Sequence, residues 1–111
     1  MAESSLPLLK GTLDVLVLKA LTWGPRHGVE IIDWLEQGSR GSLEVDDGAL
    51  YYALHRMEER DLIASDWRVT ANNRRARYYR MRPAGRTFLR EQGAAIVRYA
   101  EALTTILGTP A

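Results

Sequence analysis

The stretch Asp46–Arg82, DDGALYYALHRMEERDLIASDWRVTANNRRARYYRMR, changes its hydrophobic period part-way along. In its first half Leu50, Ala53, Leu54 and Met57 recur at helical spacing. The spacing predicts a helix that opens at Asp46 or Asp47, either of which can cap the free N–H groups of a first turn, and that continues to about Arg60. At about 100° per residue, Tyr52, His55, Arg56 and Glu59 fall on the side opposite the apolar stripe, with Tyr51 at its edge. From Ile63 the period becomes two. Ile63, Trp67 and Val69 alternate with Ala64, Asp66, Arg68 and Thr70, as in a half-buried strand. Ala71-Asn72-Asn73 makes the turn, because Asn tolerates left-handed backbone angles. The return strand, Arg74 to Arg82, carries Tyr78, Tyr79 and Met81, and the pattern leaves open which tyrosine faces inward.

Upstream of this stretch two more helices are legible. Leu13, Leu16, Val17, Ala20 and Leu21 form one stripe over Thr12–Trp23, stopped by Gly24-Pro25. Val29, Ile32 and Leu35, widened by Ile31 and Trp34, predict a helix over His27–Gln37, with His27 opening it in a structural role. Gly38–Ser42 is a connection by composition. Downstream, Pro83 starts a helix that reaches about Leu107. Leu89, Ile96 and Leu103 recur every seven residues in it, and Gln92, Tyr99 and Ile106 occupy the intervening seam positions. Two apolar positions per heptad mark a helix that packs on a partner, so Leu89, Ile96, Tyr99, Leu103 and Ile106 are the expected dimerisation residues. The alternative is a helix packed only on its own domain.

The order is helix, helix, helix, hairpin, long helix. The expected fold class is mainly α with a small β-hairpin: a winged helix-turn-helix over residues 1–82, followed by a C-terminal dimerisation helix over residues 83–111.

Charge assigns the hairpin a task. The chain of 111 residues carries a net +1, but between Arg68 and Arg90 there are eight arginines and no acid. The seven cations left elsewhere face fourteen acids, so the rest of the chain stands at −7. A concentrated cationic segment on an otherwise acidic protein fits an anionic polymer better than a high overall charge would. In a winged helix the third helix enters the major groove and the hairpin lies along the phosphates. On that reading Tyr52, His55 and Arg56 are candidates for base edges or flanking phosphates, and Tyr51 packs or hydrogen-bonds a phosphate. Asn72, Asn73, Arg74, Arg75 and Arg77 are the phosphate or minor-groove contacts.

Other classes fare poorly. The chain has no Cys and only two histidines, His27 and His55, on separate predicted helices. No thiolate metal site, disulfide scaffold, nucleophile motif or glycine-rich phosphate loop is present, and no cofactor or metal is expected. Met1–Lys10 lacks the pattern of a secretory leader and no apolar run reaches the length of a membrane span, so a cytoplasmic protein is expected. Trp23, Trp34 and Trp67 are expected in the core rather than around a ligand. The rival from another class is a winged helix used for protein–protein contact; the acid-free arginine stretch argues against it.

Five motifs in order resemble one family. Gly48–Glu58, GALYYALHRME, is similar to the recognition helix of PadR regulators, and Asn72–Met81, NNRRARYYRM, to their wing. Ala84-Gly85-Arg86 resembles the family's entry into the C-terminal helix. His27–Ile31 resembles its second-helix start, and Leu9–Leu13 its opening. The resemblance spans roughly residues 8–90 and implies a homodimeric repressor that binds an inverted-repeat operator in double-stranded DNA, of the short form with a single C-terminal helix. It also implies, for some members, release by a small aromatic or drug-like effector. The chain departs from the family pattern in having Ala49, Tyr52 and Arg82-Pro83 where Ser or Thr, Pro and Thr are common.

Overall fold

The computed structural model describes residues 11–110 and the backbone of Leu6 and Pro7. Leu9 and Lys10 of the opening motif, and the reading of Met1–Lys10 as leader-free, lie outside the described residues. In chain order the elements are β1 (Leu6–Pro7), α1 (Leu13–Ala20), β2 (Arg26–His27), α2 (Gly28–Gly38), β3 (Leu43–Glu44), α3 (Asp47–Glu59), β4 (Ile63–Val69), β5 (Arg75–Met81) and α4 (Pro83–Leu107).

Helices α1, α2 and α3 enclose the core, which is built from Val17, Leu18, Ile31, Leu35, Leu50, Leu54 and Met57, with Ile63 and Tyr79 from the base of the hairpin. Helix α1 stops three residues earlier than its stripe predicts. The chain turns at Leu21, and Arg26 Nε donates to the Ala20 carbonyl at 2.7 Å, satisfying one of the acceptors that a helix end leaves open. Trp23 therefore lies off the helix and is exposed, contrary to its expected core position, with its ring 5.6 Å from that of Trp34. In α2 Gly28 is buried at the start, and the buried side chains are Ile31 and Leu35, four apart. Val29, two residues before Ile31 and so about 200° away, points to solvent instead of joining the stripe.

His27 and Asp46 are the two caps that set where α2 and α3 begin. The His27 N–H donates to Glu30 Oε1 at 3.1 Å while His27 Nδ1 accepts from the Glu30 N–H at 3.4 Å, a reciprocal box that satisfies two backbone donors. Asp46 Oδ2 accepts from the Ala49 N–H at 2.9 Å, so of the two aspartates it is Asp46 that caps.

The hairpin belongs to a three-stranded antiparallel sheet of order β2-β5-β4, with Ile63 opposite Met81, Trp67 opposite Arg77 and Val69 opposite Arg75. The added strand, β2, pairs Arg26 with Tyr79 and His27 with Tyr78 and so ties the hairpin's base to the start of α2. Tyr79 is the tyrosine that faces inward; Tyr78 packs edge-on against the His27 ring. At the tip, Asn73 has φ +59, as the turn reading requires, and its N–H donates to the Thr70 carbonyl at 2.9 Å. Only the base of the hairpin is buried. Trp67 and Val69, expected to face the core, lie beyond its reach and are exposed.

Helix α4 has two halves. Gly85 is buried where the helix crosses the end of α3 and the start of β4; a Cβ there would overlap the Leu62 carbonyl oxygen. Phe88 and Leu89 pack on the core, and the helix lies along α1 with a groove of about 570 Å³ between them, lined by Val15, Leu16, Leu89, Ile96 and Val97. From Val97 to Pro110 every residue is exposed. Among the described residues no helix is long and apolar enough to cross a membrane.

Candidate nucleic-acid interface

Helix α3 presents its outer face beside the wing formed by β4 and β5. Tyr52 is 71% exposed and the His55 side chain 76%. The His55 ring has Glu59 Oε1 3.5 Å from Nε2, one turn further along. Tyr51 is half-exposed, and its hydroxyl fills the space where Gly28, at the start of α2, has no side chain. Arg56 stands apart from these. Its Nη2 donates to Asp14 Oδ1 on α1, and its guanidinium carbon lies 5.4 Å from the centre of the Tyr52 ring.

The wing sorts its arginines into two groups. Arg77 is held internally: its Nε donates to Ser65 Oγ at 2.7 Å and its Nη2 lies 3.6 Å from Glu58 Oε2, while Ser65 Oγ donates to the same Glu58 oxygen at 2.6 Å. Arg68 and Arg80 both face Asp66, at 3.1 and 3.8 Å. The segment that lacks acids in sequence therefore meets Asp66 and Glu58 in space, and the expected phosphate role of Arg77 competes with its tie to α3. Arg74 and Arg75 are different. No carboxylate among the described residues pairs with either; Arg75 lies 5.1 Å from the Trp67 ring and Arg74 sits at the exposed tip beside Asn72 and Asn73. Both arginines are exposed, so these two cations remain available to an external anion.

A cleft of about 620 Å³ opens between the wing and the start of α2, lined by Val29, Tyr51, Trp67, Arg74, Arg75 and Arg77 among others. Trp67, 55% exposed and flanked by Arg75 and Arg77, and Val29 line this cleft, although the sequence reading placed both on the core side. The signal was cross-strand: Trp67 pairs with Arg77 only once the register is known. Beside this cleft, burial raises the Tyr79 hydroxyl above its ordinary pKa, with the Arg77 cation opposing the shift, so Tyr79 stays neutral and structural.

Of the expected dimerisation residues, Leu89 packs on its own chain's core and Ile96 is partly buried in the groove against α1. Tyr99, Leu103 and Ile106 project from the free half of α4. Among the described residues no group of His, Asp and Glu is arranged to hold a metal ion.

The sequence profile of the transcriptional regulator PadR-like family matches residues 17–91, two thirds of the chain and all of α2, α3 and the wing. The chain belongs to the PadR-like family. This PadR-like chain is thus a DNA-binding transcriptional regulator with a winged helix-turn-helix, and not an enzyme. It is similar to the transcriptional regulator Rv3488 of Mycobacterium tuberculosis, 44% identical over 64 residues that cover 57% of this chain and 59% of that protein. A PadR family transcription regulator from Clostridium difficile R20291 is 27% identical, with a TM-score of 0.69 over 89% of this chain and 100% of the other. The structure of Bacillus subtilis PadR in complex with operator DNA shares the fold, with a TM-score of 0.66 over 73% of this chain and 46% of that one at 15% identity.

Proposed function

We propose that this regulator is a cytoplasmic repressor that binds an inverted-repeat operator as a homodimer, with α3 in the major groove and the wing tip on the backbone. One observation carries this reading: α3 exposes Tyr52 and His55, and its Tyr51 lines one cleft with Arg74 and Arg75, the wing arginines that no acid among the described residues neutralises. Two copies joined through the free half of α4 would set their α3 helices about 34 Å apart, one turn of the duplex. The groove between α1 and α4 supports release by a small aromatic or drug-like effector, because it is apolar and touches the helix that joins the copies.

Two free wing arginines per copy neutralise four phosphates per dimer, so affinity should fall about a hundredfold between about 50 and 200 mM salt. Fluorescence anisotropy of the purified protein on a labelled duplex measures this directly. A flat salt response, or no binding at about 50 mM, would count for the protein–protein alternative instead.

A further inference from the structure

Asp14 is an acid set beside a face that must approach polyphosphate. It lies in the first turn of α1, its side chain is only 14% exposed, and its Oδ1 accepts from Arg56 Nη2 on α3. The Arg56 side chain it grips is still 42% exposed, and its guanidinium is held from a second direction by the ring of Tyr52, one turn earlier on the same helix. A carboxylate here repels phosphate, which costs affinity for any duplex. It also removes the rotamer freedom of a long side chain on the outer face of α3.

A guanidinium carries five N–H donors in a rigid fork. With one donor given to Asp14, a complete two-donor edge remains, which is what the O6 and N7 acceptors of guanine require in the major groove. An unrestrained arginine would reach neighbouring phosphates equally well; a restrained one is limited to what lies in front of its free edge. We propose that Asp14 is a positioning residue which, together with Tyr52, fixes Arg56 to read a guanine and keeps it off the backbone. The proposal rests on α3 being the helix that enters the groove.

The alternative is that the pair only clasps α1 to α3. The two roles separate in how specific and non-specific binding move. The full-length chain and its Asp14→Ala and Asp14→Asn variants are each incubated with a duplex pool randomised over about 20 base pairs, enough for two half-sites. Affinity is then measured on the duplex selected by the wild type and on an unselected pool. With a positioning role, Asp14→Ala lowers the preference for the selected duplex about tenfold while binding to the unselected pool holds or rises, since a repelling charge has gone. Asp14→Asn, which keeps the acceptor oxygen, retains most of the preference. Parallel loss on both duplexes, or an unchanged preference, overturns the proposal. Should Asp14→Ala fail to fold, Arg56→Lys decides: it keeps the pairing charge without the fork, and an unchanged preference again overturns the proposal. If the wild type enriches no sequence at all, the groove-reading role of α3 fails first and this proposal with it.

Discussion

Gly85 shows how little room single residues have in this chain. It sits in the first turn of α4, directly against the backbone of Leu62, whose carbonyl also accepts from the Arg82 N–H at 3.0 Å. A methyl group there must push α4 off a backbone atom that cannot rotate away. Gly85→Ala should therefore destabilise the fold by about 2 kcal/mol, or roughly 10 °C in Tm for a domain of this size. Thermal or urea unfolding reads the change, and an unaltered midpoint would show that α4 can shift freely. The glycine itself was visible as part of the Ala84-Gly85-Arg86 motif, but the reason for it was not: its clash partner is 23 positions away. The same holds for Asp14 and Arg56, which no spacing rule connects.

At the scale of the element, the wing divides into a tied base and a free tip. Replacing Arg74 and Arg75 by Ala should weaken binding to every duplex alike and flatten the salt dependence by about four on the log–log slope, counting both copies. Arg77→Ala should leave the slope of the salt titration nearly unchanged and instead loosen the wing from α3, because it breaks the contact with Ser65 and Glu58. Equal changes in slope for the two variants would dissolve the distinction. Helices α3 and α4 were legible to within a residue or two, since each carries a long stripe and an end signal in Asp46 or Pro83. Less of the wing could be read. Alternation showed the two strands, but burial depends on how far the core extends, and it ends before Trp67. Strands β1, β2 and β3 have two residues each and therefore no period to detect. The acid-free arginine run did not reveal that Arg77 has an internal partner, because register, not order along the chain, brings Ser65 and Glu58 to Arg77 and Asp66 to Arg80.

At the scale of the molecule, the chain is too extended for its length. Its radius of gyration is 15.5 Å, against about 13 Å for a compact domain of this size, and its longest dimension is 56 Å. The excess is the free half of α4, where Tyr99, Leu103, Ile106 and Leu107 meet only water in a single copy. Pairing with a second copy would cover them. Exchanging both Leu103 and Ile106 for Asp should halve the mass seen by light scattering and reduce operator affinity to that of one half-site, while the melting of the core is spared because neither side chain belongs to it. Leu89→Ala should act the opposite way, opening a cavity in the core and lowering stability. A particle that stays the same size after the double exchange would place the dimer contact elsewhere.

The backing of α3 is uneven. Tyr51 is wedged against the bare backbone of Gly28, and Arg56 is moored to Asp14 on another helix and to the ring of Tyr52, whereas the His55 side chain stands in solvent with only Glu59 of its own helix near it. Exchanging His55 leaves the scaffold's packing untouched, whereas exchanging Tyr52 frees one side of Arg56. If the proposed reading holds, descendants of such a protein could be redirected toward a new operator most simply through His55, while Tyr51 must drift together with Gly28, and Tyr52 and Arg56 together with Asp14.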